Sequence, residues 1–373
     1  MQKSSGTVAR RRIFELDLLR GFFIAVIIIN HLQFWPSPFT ALTGEGRLWV
    51  SAAEGFFLVS GLLIGYVRGY KGVKHSLTTL TKLLWKRAAM LYVWGVAVTL
   101  LLVYFTLLAG NHALLPKLPS TDQLSSTSSL LSAVVSGQYF SGWIYFLRLY
   151  AIVLLATPLF LYLVRRNQDL IVILLISVAY LASFWIPEGA LQWQVFFFGA
   201  ALIGYRLEYI IDYLRKHRTI RNVVTYGSIV LTAITMTISF FFTHGWSLAT
   251  DGTGLDLMTR DEFVAIKNTL DPWFTLAPVQ IGRIVLAYLW LAGGLFFIHT
   301  IKDFIVRWFG WLLFTFGERS LTAYIIQALL LPLVVIAIPL TGDWVLNMLI
   351  TIAVLLLHWY LMRLPIIEKH LPR

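Results

Sequence analysis

Apolar runs of about twenty residues, separated by shorter polar connections, follow one another along almost the whole chain. A run of that length crosses the hydrocarbon of a bilayer as a helix, and ten are predicted: Phe14 to Trp35, Trp49 to Tyr70, Leu83 to Ala109, Gly142 to Leu163, Leu170 to Ile186, Leu191 to Ile211, Val223 to Phe242, Ile281 to Ile301, Ser320 to Leu340 and Trp344 to Arg363. The expected fold class is all-α, a polytopic helical bundle forming one domain over residues 1–373. Residues 1–13 form a basic tail, and residues 110–140 and 244–276 form the two long loops on the opposite side. The segment WFGWLLFTFGERS before the ninth run reads as an interfacial helix, with an eleventh half-span as the alternative. No internal repeat is visible, which counts against an inverted-repeat transporter.

Composition agrees with lipid as the solvent. Of 373 residues, 58% are hydrophobic and 13% charged, and the mean hydropathy is +0.76, beyond what one soluble core hides. There is no cysteine, so neither a disulfide nor a thiolate nucleophile is available. The net charge of +12 changes meaning once read loop by loop. With the N-terminus inside, the tail and inner loops hold most of the Lys and Arg residues, among them Lys3, Arg10, Arg11, Arg12, Lys71, Lys74, Arg165, Arg166, Arg215, Lys216, Lys302 and Arg373. The outer loops hold Arg47, Lys117, Arg260 and Lys267. Basic residues near span ends resist translocation, so both termini are expected inside a plasma (inner) membrane. The same asymmetry assigns the charge to topology and anionic-lipid contact, leaving nucleic acid out as a partner. Asp17, Arg20 and Asn30 interrupt the first run and no small-residue cleavage site follows it, so it is expected to stay as a helix. In DGTGLDLMTRDE, Asp251 and Glu262 fall at the ends of a calcium-loop pattern, but Asp256 stands where that loop needs glycine; no metal site is expected.

Polar residues inside the runs carry the chemistry. His31 stands eleven positions after Arg20, an advance of about 16 Å and close to whole turns, so they share one face, with Asp17 near the same stripe. Such groups avoid lipid and face protein or water; for each alone, snorkelling of Arg20 or capping by His31 is the plain alternative. Glu54, in SAAEGFFLVSG, lies at the depth of His31, where a carboxylate can orient an imidazole as general base or simply join two helices. Ser60 and Gly61 read as a close-packing point. Arg87, Lys86, Arg319 and Arg68, at inner span ends, read either as topology signals alone or, with Arg20, as a ring around an inner vestibule that holds phosphates. Arg148 and Arg283 lie in the outer halves of their spans, where topology does not account for them; each pairs with a buried acid or binds an oxyanionic group. Gln194, beside Trp193, is either a donor to a sugar hydroxyl or a helix-to-helix bond.

The spacing of Arg20 and His31 after ELDLLRG, followed by AAEGFFLVSG, resembles the transmembrane acyltransferase superfamily. Its OpgC branch, whose members succinylate osmoregulated periplasmic glucans, is most similar, and the acyltransferase-three branch next. WKRAAMLY, FLRLYAIVLLATP, WQVFFFGA and FGERSLTAY extend the likeness over nearly the whole chain. The resemblance implies transfer of an acyl group, succinyl or acetyl, from cytoplasmic acyl-CoA across the membrane to a hydroxyl of an extracytoplasmic glycan. Acyl-CoA is then a co-substrate, with no permanently bound cofactor. The essential histidine carries over to His31, the first-span arginine to Arg20, the acidic second-span residue to Glu54 and the basic third-span position to Arg87. Two positions depart from the acyltransferase-three pattern: Tyr150 stands in place of a glutamate, and Gln327 in place of a second histidine. That leaves His31 with Glu54 for the proton work, Arg20, Arg87, Lys86 and Arg319 for the donor, and Arg148, Arg283, Gln194 and Tyr150 for the oxyanion or acceptor. A transporter or flippase of a glycan or lipid-linked intermediate, and a non-catalytic scaffold, are the competing readings of the same residues.

Overall fold

A computed structural model describes residues 13–246 and 257–371; the basic residues up to Arg12, Arg373, and Asp251 and Asp256 of the calcium-like pattern lie outside the described residues. The described chain is an all-α bundle. Its longer helices are α1 (Phe14–Leu32), α2 (Ala52–Leu63), α3 (Leu77–Leu108), α4 (Tyr145–Arg165), α5 (Asp169–Ala182), α6 (Gly189–Tyr205), α7 (Leu207–Lys216), α8 (Arg218–His244), α9 (Arg260–Leu270), α10 (Ile281–Thr300), α11 (Lys302–Glu318), α12 (Ser320–Ala337) and α13 (Trp344–Met362).

Seven helices among the described residues are long and apolar enough to cross a bilayer, or eight if one bent pair counts as a span. The shortfall from ten has local causes. In α1, Glu15, Asp17 and Arg20 dilute an otherwise apolar run. α5 has only 14 residues, about 21 Å of helix, short of the hydrocarbon thickness. The sixth predicted run does not reach Ile211 as one helix: α6 stops at Tyr205, and α7 leaves at 58° to it. Arg206 at that break donates to Asp169 at 2.9 Å, and α7 has no buried residue. Its Glu208, Asp212, Arg215 and Lys216 explain why it leaves the apolar path. α3 in contrast runs 32 residues, about 48 Å, longer than the hydrocarbon is thick.

Glycine sets the tightest crossings. A Cβ on Gly61 would lie 2.1 Å from the Phe197 carbonyl oxygen and one on Gly65 1.8 Å from that of Ala201, so α2 and α6 meet backbone to backbone, the small-residue contact expected in lipid. Gly21 and Gly317 do the same between α1 and α11, against the Leu313 and Asp17 carbonyls. α11 lies across the N-terminal end of α1 and the C-terminal end of α13: Phe314 meets Phe14 edge-on and the Trp311 carbonyl accepts from Trp359. Its Phe304, Trp308, Phe309 and Trp311 are exposed, as in a helix that rests at an interface.

After Leu63 the second span changes winding. Ile64–Tyr70 is π-helical and Lys71–Lys74 is a 3₁₀ turn. The extra residue per turn rotates everything beyond it relative to α2, a device frequent at functional sites.

Candidate active site

At the Arg20 end of α1 lies a cavity of about 320 Å³. Arg20, Arg68, Lys71 and Arg87 line it with one carboxylate, Asp17, and with the hydroxyl-bearing Ser60, Tyr66 and Tyr150. Each helix has a local reason to point there. Asp17 and Arg20 are one turn apart on α1. Ser60 lies in the last turn of the α-helical part of the second span, and the π-helical stretch brings Arg68 and Lys71 round to the same side. Lys71 Nζ stands 4.4 Å from the centre of the Tyr66 ring, whose hydroxyl donates to Glu208 of α7 at 2.6 Å. Arg20 donates to Ser320 Oγ at 2.5 Å and covers the Phe56 ring at 5.7 Å. Four cations against one acid, in a concave site, form an anion receptacle.

Two residues expected at this mouth are elsewhere. Lys86 is exposed and outside the cavity lining; it is adjacent to Arg87, and neighbouring residues on a helix are turned about 100° apart. Arg319 donates to the Met362 carbonyl at 3.3 Å and to Glu368, which ties α12 to the end of α13. Its neighbour Ser320 is the residue that reaches Arg20.

At the other end of the stripe, His31 stacks on Trp143 with centroids 5.3 Å apart. Its Nδ1 contacts the side-chain amide of Gln327. Among the described residues no hydrogen bond joins His31 to Glu54, which corrects the expected dyad. Glu54, fully buried, accepts from Arg283 Nε at 2.5 Å and from the Ser51 amide at 3.0 Å. It is the N3 member of a capping box with Ser51, a geometry that folds the carboxylate back over its own helix start. A buried carboxylate also needs a formal positive charge, which arginine has and a neutral imidazole lacks. The Ser-x-x-Glu spacing of Ser51 and Glu54 was the available signal.

The other outer-half residues resolve in the same direction. Arg283, closed on Glu54 and on the Phe274 carbonyl at 3.0 Å, takes the buried-acid alternative. Arg148 holds Glu188 through both terminal nitrogens, at 3.0 and 2.6 Å, and so pairs with an acid too, here a partly exposed one. Glu188 accepts from the Ala190 amide, starting α6. Burial raises its pKa, but the Arg148 hydrogen bonds, the Ala190 amide and the nearby positive charge outweigh burial and leave it below the usual carboxylate value. Gln194 donates to the Ile176 carbonyl at 2.9 Å, the helix-to-helix option. Tyr150 lines the Arg20 cavity rather than the surroundings of His31.

Gln327 is what sequence reasoning missed. It was legible as a departure at a position where a histidine was expected, and the structure makes it the neighbour of His31. A buried imidazole also exists on α13, His358, but it sits edge-on to Phe316 at 5.4 Å. A further cavity of about 340 Å³ between Phe242, Trp246, Phe263 and Lys267 holds none of the predicted residues.

The family model for OpgC protein matches residues 12–366. The chain belongs to the OpgC family. The match spans the basic cavity, His31 and α11 alike, and it supports a membrane acyltransferase-like activity on glucans for this OpgC-family chain. No curated protein and no solved structure matches it.

Proposed function

We propose that this OpgC-family protein moves a succinyl or acetyl group from acyl-CoA, held at the Arg20 cavity on the cytoplasmic side, to a glycan hydroxyl reaching His31 from the opposite side. The observation that carries the reading is the placement of a basic cavity and a histidine at the two ends of one face of α1. The inner Lys and Arg residues favour the same orientation, with both termini cytoplasmic and the protein in the plasma membrane.

Arg20, Arg68, Lys71 and Arg87 bind the phosphates of the donor. The pantetheine arm follows α1 over the roughly 16 Å to His31. There the imidazole takes the acceptor hydroxyl proton as the oxygen attacks the thioester carbonyl; the C–S bond breaks, and the imidazolium returns the proton to the departing thiolate. Gln327 replaces Glu54 as the orienting group. The amide nitrogen of Gln327 stands against Nδ1; after a half-turn of the amide its carbonyl accepts from Nδ1–H, which leaves the Nε2 lone pair for the hydroxyl. Arg148 and Arg283, being ion-paired, are not assigned to the oxyanion.

His31→Ala abolishes acyl transfer and leaves coenzyme A binding by calorimetry within twofold of wild type. Arg20→Ala weakens coenzyme A binding at least tenfold. Wild-type turnover in the His31 variant, or proton-coupled uptake of glycan into vesicles without thioester cleavage, overturns the assignment and favours the transporter.

A further inference from the structure

Three rings lie between the two ends of the stripe. Phe146 packs edge-on to Phe56 at 5.0 Å and flat on Tyr324 at 5.4 Å, and Phe56 meets Tyr324 edge-on at 5.9 Å. Three helices place them at that level independently. On α12, Ser320 reaches Arg20, Tyr324 follows one turn on, and Gln327 reaches His31. Around the start of α4, Trp143 carries His31, Phe146 follows, and Tyr150 lines the cavity. On the second span Glu54 is closed on Arg283, Phe56 lies under Arg20, and Ser60 lines the cavity. Ser320 and Gln327 are about 10 Å apart along the helix, and the ring layer fills that interval. Phe146 nonetheless keeps partial exposure, unlike Phe56 and Tyr324, which are buried, so open space borders it.

We propose that Phe56, Phe146 and Tyr324 form a partition between donor cavity and histidine that admits acyl groups by width, passing linear short chains and rejecting branched ones. The inference rests on the acyl-CoA reading. Rings in mutual contact leave no path, so an acyl group entering from the Arg20 side passes only by displacing one of them. Phe146 touches both other rings and borders open space, which makes it the ring that moves. Displacing one flat ring opens a slot about one ring thick, close to the 3.5–4.0 Å carbon contact distance, which suits an unbranched chain and not a tertiary carbon. While the rings are closed, water arriving from the His31 side does not reach the thioester.

Thiol release by the purified protein, with a glucan oligosaccharide as acceptor, compares acetyl-CoA with pivaloyl-CoA. Wild type prefers acetyl-CoA at least tenfold, and Phe146→Ala lowers that preference at least tenfold, with coenzyme A affinity within twofold of wild type. Phe146→Tyr keeps the wild-type preference. Phe146→Leu and Tyr324→Ala serve as second variants where Phe146→Ala does not fold. A wild-type preference in the folded, active small-residue variants overturns the partition and leaves the donor reading standing. Wild-type protein that binds no coenzyme A overturns both.

Discussion

At the Arg20 end of the bundle, four cations and one carboxylate face a cavity; at the other end, the two arginines embedded in apolar helices are each closed on an acid. The difference separates two uses of charge that look alike in a sequence. Charge matched within the protein joins helices, and Glu54 with Arg283 ties α2 to α10 as Glu188 with Arg148 ties the start of α6 to α4. A lining of net positive charge around a hollow suits an anionic ligand. The cation count of a membrane helix therefore says little until each partner is known.

The largest break in this comparison comes from opening the buried pair. Glu54→Gln leaves Arg283 charged and fully enclosed, and is expected to cost about 3–5 kcal/mol of stability; Glu54→Gln combined with Arg283→Met recovers most of it. Thermal denaturation in detergent measures both, and a single variant as stable as wild type would show that the pair is not what holds α2 to α10. Next is the donor end. Arg87→Ala weakens coenzyme A binding about tenfold, in the range of one charge-assisted contact, whereas Lys86→Ala stays within twofold. Equal losses in a titration of the two variants would remove the distinction between cavity and lipid-side charge.

The smallest effect is a matter of pH. Because the Glu188 pKa is lowered in the folded protein, its contribution is complete above the ordinary carboxylate value and is lost as pH falls through the lowered one. Glu188→Gln is therefore less stable than wild type at neutral pH by about 1 kcal/mol, as expected for a partly exposed pair. The gap closes in acid. A gap that widens on acidification contradicts the assignment.

The apolar runs and the Arg20–His31 stripe were readable in advance because both follow from helix length and periodicity, which are local properties. Partner choice was not. Glu54 was read against His31 at its own depth, and only the packing of α10 beside α2 brings Arg283 onto it. Gln327 read as a missing histidine because a neutral amide gives no signal of its own until the imidazole is found beside it. Lys86 and Arg87 are neighbours in sequence with opposite fates, decided by which side of α3 meets the second span. Nor does composition distinguish α from π winding over Ile64–Tyr70, although Arg68 and Lys71 reach the cavity through it.

That winding uncouples two requirements on one transmembrane segment. Upstream, Gly61 must press against the α6 backbone; downstream, the positive side chains must turn toward the hollow. A uniform α-helix would lock the two bearings together, whereas one surplus residue lets the lower half swivel by about 100° without disturbing the upper. Insertions or deletions beyond Gly65 would thus retune ligand grip while leaving the Gly61 and Gly65 contacts with α6 intact.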